Sequence, residues 1–289
     1  MTSIIAEARQ QYHTELIRAG VLGLRAGNPS FADVGSKTSL DIAQRLAKVL
    51  AIHTGMTLEK TEMSGQTLGK KFTDITMQFV QRCFDKLDGV RPGPWRYETE
   101  QGISRFVQYR HLAHLAELAE SNPDLRSLLG SDYVVKPDIV ISRLRLKDEA
   151  FGSGVISEED RVAMATPLRE QNSGKPGSPD PILHASISCK WTMRSDRAQN
   201  TRTEALNLIR HRKGKVPIIV AVTAEPMPTR LASLALGTGD IDRVYHFALY
   251  ELQEAVRESE KDDQCEMLNE LIHGERLSDI SDLPFDLAI

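Results

Sequence analysis

The chain has 289 residues, about 40% of them apolar, enough for one large α/β domain whose core buries roughly three quarters of the surface the unfolded chain exposes. A net charge of −4 is not the balance of a chain that binds nucleic acid over its whole surface, and no stretch approaches the roughly 20 apolar residues that cross a bilayer. The three cysteines, Cys83, Cys189 and Cys265, are odd in number and scattered, so neither a disulfide framework nor a zinc knuckle is signalled.

In chain order, MTSIIAEARQQYHTEL lacks the basic start and apolar block of a signal peptide, and a cytoplasmic protein is expected. Apolar residues at three and four spacing predict helices over residues 41–53, 72–87 and 106–120. A β-rich run follows at 133–142, YVVKPDIVIS. The stretch QNSGKPGSPDP at 171–181 reads as a surface loop rather than a domain boundary, so a single domain over 1–289 is expected. Further strands are predicted at 185–192 and 216–223, and helices at 197–212 and 245–257. VYHFALYEL at 244–252, opening the last of these, reads as a helix that packs in the core or contributes to a subunit interface, and the acidic run ESEKDDQCE at 258–266 as a solvated turn. The sum is an α/β fold, a central mixed sheet flanked by helices, without internal repeats.

The chemistry gathers between residues 184 and 204, HASISCKWTMRSDRAQNTRTE. Between positions 190 and 215 eight basic residues face two acidic ones, so that window carries +6 and the remainder −10. Alternation along 185–192 puts Ser186, Ser188 and Lys190 on one strand face, opposite Ala185, Ile187, Cys189 and Trp191. Asp138 stands between Pro137 and the apolar run IVI, where burying a carboxylate is costly unless it meets a cation or hydrogen-bond donors. Glu204 lies on the helix after RSDR, from which a carboxylate can lean back toward the Lys190 strand; alone it is equally an exposed partner of a neighbouring Arg. Two carboxylates and a lysine at one sheet edge suit phosphodiester cleavage, because Mg²⁺ takes oxygen ligands and keeps waters that can be activated. An Arg fork fits guanine O6 and N7 and an Asp accepts from cytosine N4, so RSDR offers what C·G pairs require. None of the eight histidines shows convincing zinc-ligand spacing.

GSDY and PDIV near 131–140, HASISCKWT, RSDRAQN, VTAEP, ALGTG, VYHFALYEL and the C-terminal DISDLP together resemble the PD-(D/E)xK nuclease superfamily. Within it they are similar to the type II restriction endonucleases that cut around a CCGG core. In that subgroup the acidic residue two before the Lys is a Ser, here Ser188, and the missing carboxylate comes from the next helix, here Glu204. The resemblance implies Asp138, Ser188, Lys190 and Glu204 as the active site, with Asp138, Glu204 and the Cys189 carbonyl as ligands to Mg²⁺, two ions per site. It implies Arg194, Asp196 and Arg197 as readers of CCGG, and Gln66 and Ser36 as contacts to an outer pair, giving GCCGGC cut with 5′ overhangs. A related enzyme of the group carries a Glu directly after the Phe of its GQT-x-G-x-x-F stretch, where this chain has Thr73, followed by Asp74.

A palindromic double-stranded DNA site needs at least a homodimer, and relatives with this motif set imply a homotetramer. The implied functional partner is a cytosine methyltransferase protecting host DNA; no membrane is involved. Three alternatives stand beside this reading. A PD-(D/E)xK repair nuclease would share Asp138, Lys190 and Glu204 without needing RSDR. A catalytically impaired DNA-binding descendant would keep RSDR and lose the metal site. A Ser188–Lys190 hydrolase is the weakest, because side chains two apart on a strand sit roughly 7 Å apart, too far for direct proton transfer.

Overall fold

The computed structural model describes residues 3–289 except 123, 125–126, 128–134, 157–161, 164, 171–179, 194 and 238, and omits the side chains of 195 and 196. GSDY, most of the 171–181 loop, Arg194 and the Asp196 side chain therefore lie outside the described residues. The chain divides into two compact units. One comprises Met1–Arg91, Ile187–Ala205 and Ile219–Ile289, the other Pro92–Ser186 and Leu206–Ile218.

Among the described residues the α-helices are α1 (Ile4–Arg18), α2 (Lys37–Thr54), α3 (Gly65–Phe84), α4 (His111–Ser121), α5 (Ser195–His211), α6 (Pro228–Ala235), α7 (Leu249–Glu258), α8 (Asp262–His273) and the short α9 (Leu283–Asp286). A two-residue pair, β1 (Leu24–Arg25) with β2 (Asn28–Pro29), stands apart from a mixed six-stranded sheet. That sheet is formed by β3 (Trp95–Thr99), β4 (Ile139–Arg143), β5 (Ile182–Lys190), β6 (Ile218–Thr223), β7 (Arg243–His246) and β8 (Leu277–Asp279), laid side by side in chain order. β3 and β4 run antiparallel, whereas β7 runs parallel to both β6 and β8. Among the described residues no helix is long and apolar enough to cross a membrane.

Three helix starts follow from serine caps. The hydroxyls of Ser3, Ser36 and Ser64 accept the backbone N–H three residues on, at 3.2, 3.2 and 3.1 Å, satisfying donors that a first turn leaves open. α2 ends at Gly55, whose φ of 66° is a left-handed conformation glycine adopts without steric cost.

Several boundaries differ from the sequence expectation. Among the described residues of the run at 133–142, 135 onward, the strand begins at Ile139, because Pro137 has no N–H to give a ladder. The helix expected at 106–120 starts at His111. Before it, Gln108 is buried and clasps the Leu183 peptide, its Nε2 donating to the carbonyl at 2.7 Å and its Oε1 accepting the N–H at 3.0 Å. The helix expected at 245–257 is two elements: residues 245–246 close β7, and α7 begins at Leu249. A strand between two parallel neighbours is buried on both faces, so Val244, Tyr245 and His246 form a continuous run without alternation, and such a run imitates a buried helix. The acidic run at 258–266 is a turn only to Lys261; α8 starts at Asp262, with Asp262 and Asp263 complementing its N-terminal dipole.

In the first unit a charged group joins four elements. Arg9 of α1 donates to both oxygens of Asp279 (2.8 and 2.8 Å) and to both of Glu251 (2.8 and 2.6 Å). The Glu251 and Asp279 side chains are only 3% and 0% exposed. His53 of α2 adds a contact of 3.2 Å to Glu251, and Asp279 accepts the Leu249 N–H at 2.9 Å, capping α7. Burial pushes the Glu251 carboxyl up, but the Arg9 guanidinium more than offsets it and holds the group down at about 2.

Candidate active site

β5 carries the centre of the motif. Its two faces were expected to be polar and apolar; both are buried, with Ser186 at 5% and Ser188 at 8% exposure opposite Ala185, Ile187 and Cys189. The polar face is covered because its side chains are small: α5 lies against it, and the hydroxyls of Ser188 and Thr201 approach to 3.4 Å. Thr201 in turn donates to the Arg197 carbonyl at 3.0 Å, the local bond by which a helical Thr satisfies its hydroxyl. Lys190 lies two residues along the same strand face and is half-buried; Glu204, also half-buried, lies one helical turn beyond Thr201 on the same side of α5. The contact that joins strand and helix is that of Ser188 with Thr201; Lys190 stands on the same strand and Glu204 on the same helix.

The end of the strand is held from two sides. The Lys190 carbonyl accepts the Ala224 N–H at 3.4 Å, beyond the end of β6. Trp191 packs within an aromatic group, its ring centroid 4.9 Å from Phe72, 5.7 Å from Phe247 and 5.9 Å from Phe31. These contacts fix the backbone on which Lys190 stands.

Asp138 belongs to the second unit. It is half-buried at the N-terminal end of β4, and its carbonyl accepts the Glu100 N–H at 3.3 Å. Of the reading motif, Arg197 is exposed, and its Nη1 donates to the Thr192 hydroxyl at 2.6 Å and carbonyl at 3.1 Å. Gln66 is exposed in the first turn of α3. Ser36 caps α2, and its hydroxyl also donates to Met227 Sδ at 3.5 Å. Thr73, 8% exposed, sends its hydroxyl back to the Gly69 carbonyl at 3.1 Å, while Asp74 is half-buried.

One carboxylate of this region was missed from the sequence except as part of VTAEP. Glu225 is 1% exposed, and its oxygens accept the N–H groups of Met193 (2.9 Å) and Met227 (3.3 Å). Burial pushes its carboxyl up to about 7, against the opposing influence of those two N–H groups and Arg230. An acid directly after the apolar run IIVAVTA was the available signal.

A model of the NgoMIV restriction enzyme family matches residues 12–289. The chain belongs to the NgoMIV restriction enzyme family. It is similar to the type II restriction enzyme NgoMIV of Neisseria gonorrhoeae, 43% identical over 295 residues that span 100% of both chains. Among solved structures, a complex of restriction endonuclease PspGI with substrate DNA aligns with 98% of this chain and 91% of its own at 15% identity and a TM-score of 0.35. The type IIF restriction endonuclease Bse634I with cognate DNA aligns over 86% and 92%, at 15% identity and a TM-score of 0.38. As a member of the NgoMIV family the protein is a type II restriction endonuclease, a sequence-specific deoxyribonuclease with the restriction endonuclease fold.

Proposed function

We propose that this enzyme cuts double-stranded DNA at GCCGGC, leaving 5′ overhangs, with Mg²⁺ held by Asp138, Glu204 and the Cys189 carbonyl. The observation that carries the reading is the 3.4 Å approach of Ser188 to Thr201. A serine in the strand position lets α5 lie close, so a carboxylate one turn further along the helix serves where the strand has none. The proposed donor set is all oxygen, two carboxylates with a carbonyl, which suits a hard cation and leaves the remaining positions to water. When bound, Mg²⁺ supplies an activated water and charge stabilisation at the phosphate. Lys190 orients that water and steadies the charge growing on the phosphate oxygens, an ammonium being best used where charge develops. Ser188 keeps the seam closed.

In this reading Arg194, Asp196 and Arg197 take the inner CCGG pairs, and Gln66 and Ser36 the outer pair. The Thr192 contacts of Arg197 are ones its guanidinium exchanges for guanine. The twofold symmetry of the site calls for at least a homodimer, and a homotetramer is proposed; a solution mass of two chains rather than four would argue against it. A cytosine methyltransferase of matching specificity completes the system in the cytoplasm, within a single catalytic domain spanning residues 1–289.

The test is cleavage of short duplexes carrying GCCGGC, an altered outer pair or an altered core, with Mg²⁺ and with chelator. Cutting confined to GCCGGC in Mg²⁺ supports the whole assignment. Equal cutting at any CCGG would remove the Gln66 and Ser36 roles, and binding without cutting would favour the impaired DNA-binding alternative.

Thr73→Glu addresses the missing carboxylate. Thr73 is buried, and a carboxylate there is tolerated only beside a cation. The variant is expected to melt lower than wild type in chelator, regain stability in Mg²⁺ and shift the metal optimum. A gain of orders of magnitude in cleavage at every metal concentration would show that Thr73 cripples the natural site.

A further inference from the structure

Glu225 has no part in the chemistry described above, yet it sits where the two base-reading segments meet. Its Oε2 accepts the N–H of Met193, the residue before position 194, at 2.9 Å. Its Oε1 accepts the N–H of Met227 at 3.3 Å, and Met227 Sδ takes the Ser36 hydroxyl at 3.5 Å. Arg230 bridges the same two places, with Nη1 at 3.8 Å from Glu225 Oε1 and Nη2 at 2.5 Å from Asp33 Oδ2. Asp33 shapes the turn to Ser36, accepting the Ser36 N–H on its carbonyl at 3.0 Å and the Gly35 N–H on its side chain at 3.1 Å. The carboxylate itself is fixed by its own backbone, whose N–H donates to the Thr223 hydroxyl at 3.2 Å.

We propose that Glu225 is a specificity-positioning residue, its two carboxylate oxygens holding in one register Met193, just before the 194–197 reader, and Met227, on whose sulfur the Ser36 hydroxyl rests. This rests on the base contacts proposed above for Arg194, Asp196, Arg197 and Ser36. The argument is one of valence. Two N–H donors converge on one buried side chain, and only an ionised carboxylate offers each its own oxygen while also facing Arg230. An amide or a protonated carboxyl keeps one good acceptor and turns the other group into a donor, so one of the two segments is released. Buried polar groups rarely go without partners, so the released peptide must shift. Readers that depend on bidentate geometry lose discrimination when their backbone moves by a fraction of an ångström.

The charge state of Glu225 adds a pH dependence. Among the described residues, the charged side chains facing it are Arg230 from α6 and Asp33 from the segment before α2; His246 of β7, close to the Glu225 main chain, is held neutral by burial, its pKa lowered to about 4. With the Glu225 carboxyl near 7, lowering the pH through neutrality protonates it and weakens the two-segment tie.

The test uses full-length Glu225→Gln, with Arg230→Met as second variant, and cleavage rates on GCCGGC, core-altered and outer-altered duplexes between pH 6 and 9. Taking the ratio of cognate to altered rates removes the hydroxide dependence common to all substrates. In wild type that ratio is expected to fall as pH drops through about 7. In Glu225→Gln it is expected to be lower by roughly ten- to a hundredfold for at least one of the altered duplexes and flat with pH, which is the loss of one good base contact. Arg230→Met, which leaves both N–H bonds in place, is expected to lose discrimination mainly at the outer pair; should the Gln variant melt too low to assay, this asymmetry decides. Wild-type ratios and pH trend in either folded variant, or slower cleavage with unchanged ratios, would overturn the proposal. A wild type that cuts all three duplexes equally would instead sink the base-contact assignment and this inference with it.

Discussion

Lys190→Ala is expected to bind GCCGGC duplexes with near wild-type affinity and to cut them on the order of a thousandfold more slowly, the usual loss when a group acting on transition-state charge or proton transfer is removed. The strand supporting Lys190 is fixed by its own backbone and by the Trp191 aromatic group, so truncation beyond Cβ leaves the seam intact. Single-turnover cleavage and gel shift, measured side by side, separate the two effects. Equal loss of binding would recast Lys190 as a phosphate contact, and unchanged cleavage would remove it from the active site.

Arg9→Met is expected to destabilise the fold by about 3–5 kcal/mol at neutral pH, because it strands two buried carboxylates. Glu251 and Asp279 are nearly inaccessible and receive four hydrogen bonds from that one guanidinium. The pH dependence fixes the cause. Both carboxyls are held below their ordinary values of 4.5 and 3.8: burial opposes this, and the contacts with Arg9 overcome it. A depressed folded-state value contributes stability that is present above the unfolded-state value and is lost as pH falls through the folded one, about 2 for Glu251. Without Arg9 the same burial raises both groups. The difference between wild type and variant in urea unfolding should therefore be widest near neutrality and close as the pH drops below 4.5. A difference that does not change with pH would mean that Arg9 stabilises by packing alone.

The legible parts of the sequence were those where one local rule dominates. α2 lies within four residues of its expected range at each end, whereas α3 starts at Gly65, seven residues before periodicity put it. β5 and α5 were recognised within three residues at each end, so the two elements that carry Ser188, Lys190 and Glu204 were legible. What periodicity could not resolve was burial on two sides. Residues 243–246 look the same to a hydrophobicity pattern whether they cross a sheet or wind a helix, and only neighbours distant in sequence, β6 and β8, decide it. Ser186 and Ser188 misled in the opposite sense: they read as an open polar face, yet their small size is what admits a helix. The Arg9 group was illegible for a third reason. A lone charged residue carries no periodic signature, and the Arg9, Glu251 and Asp279 positions lie 242 and 270 residues apart along the chain.

α5 begins inside the base-reading segment, at Ser195, and bears Glu204 nine positions on, about 13 Å along a continuous helix. On the roles proposed here the helix is a lever. Its first turns rest on whatever bases the DNA presents, and Thr201 against Ser188 is the fulcrum. A misread base that tilts the near end also displaces the far carboxylate, so error is filtered twice along one rigid rod: once as weaker binding, and again as a metal cradle that fails to close.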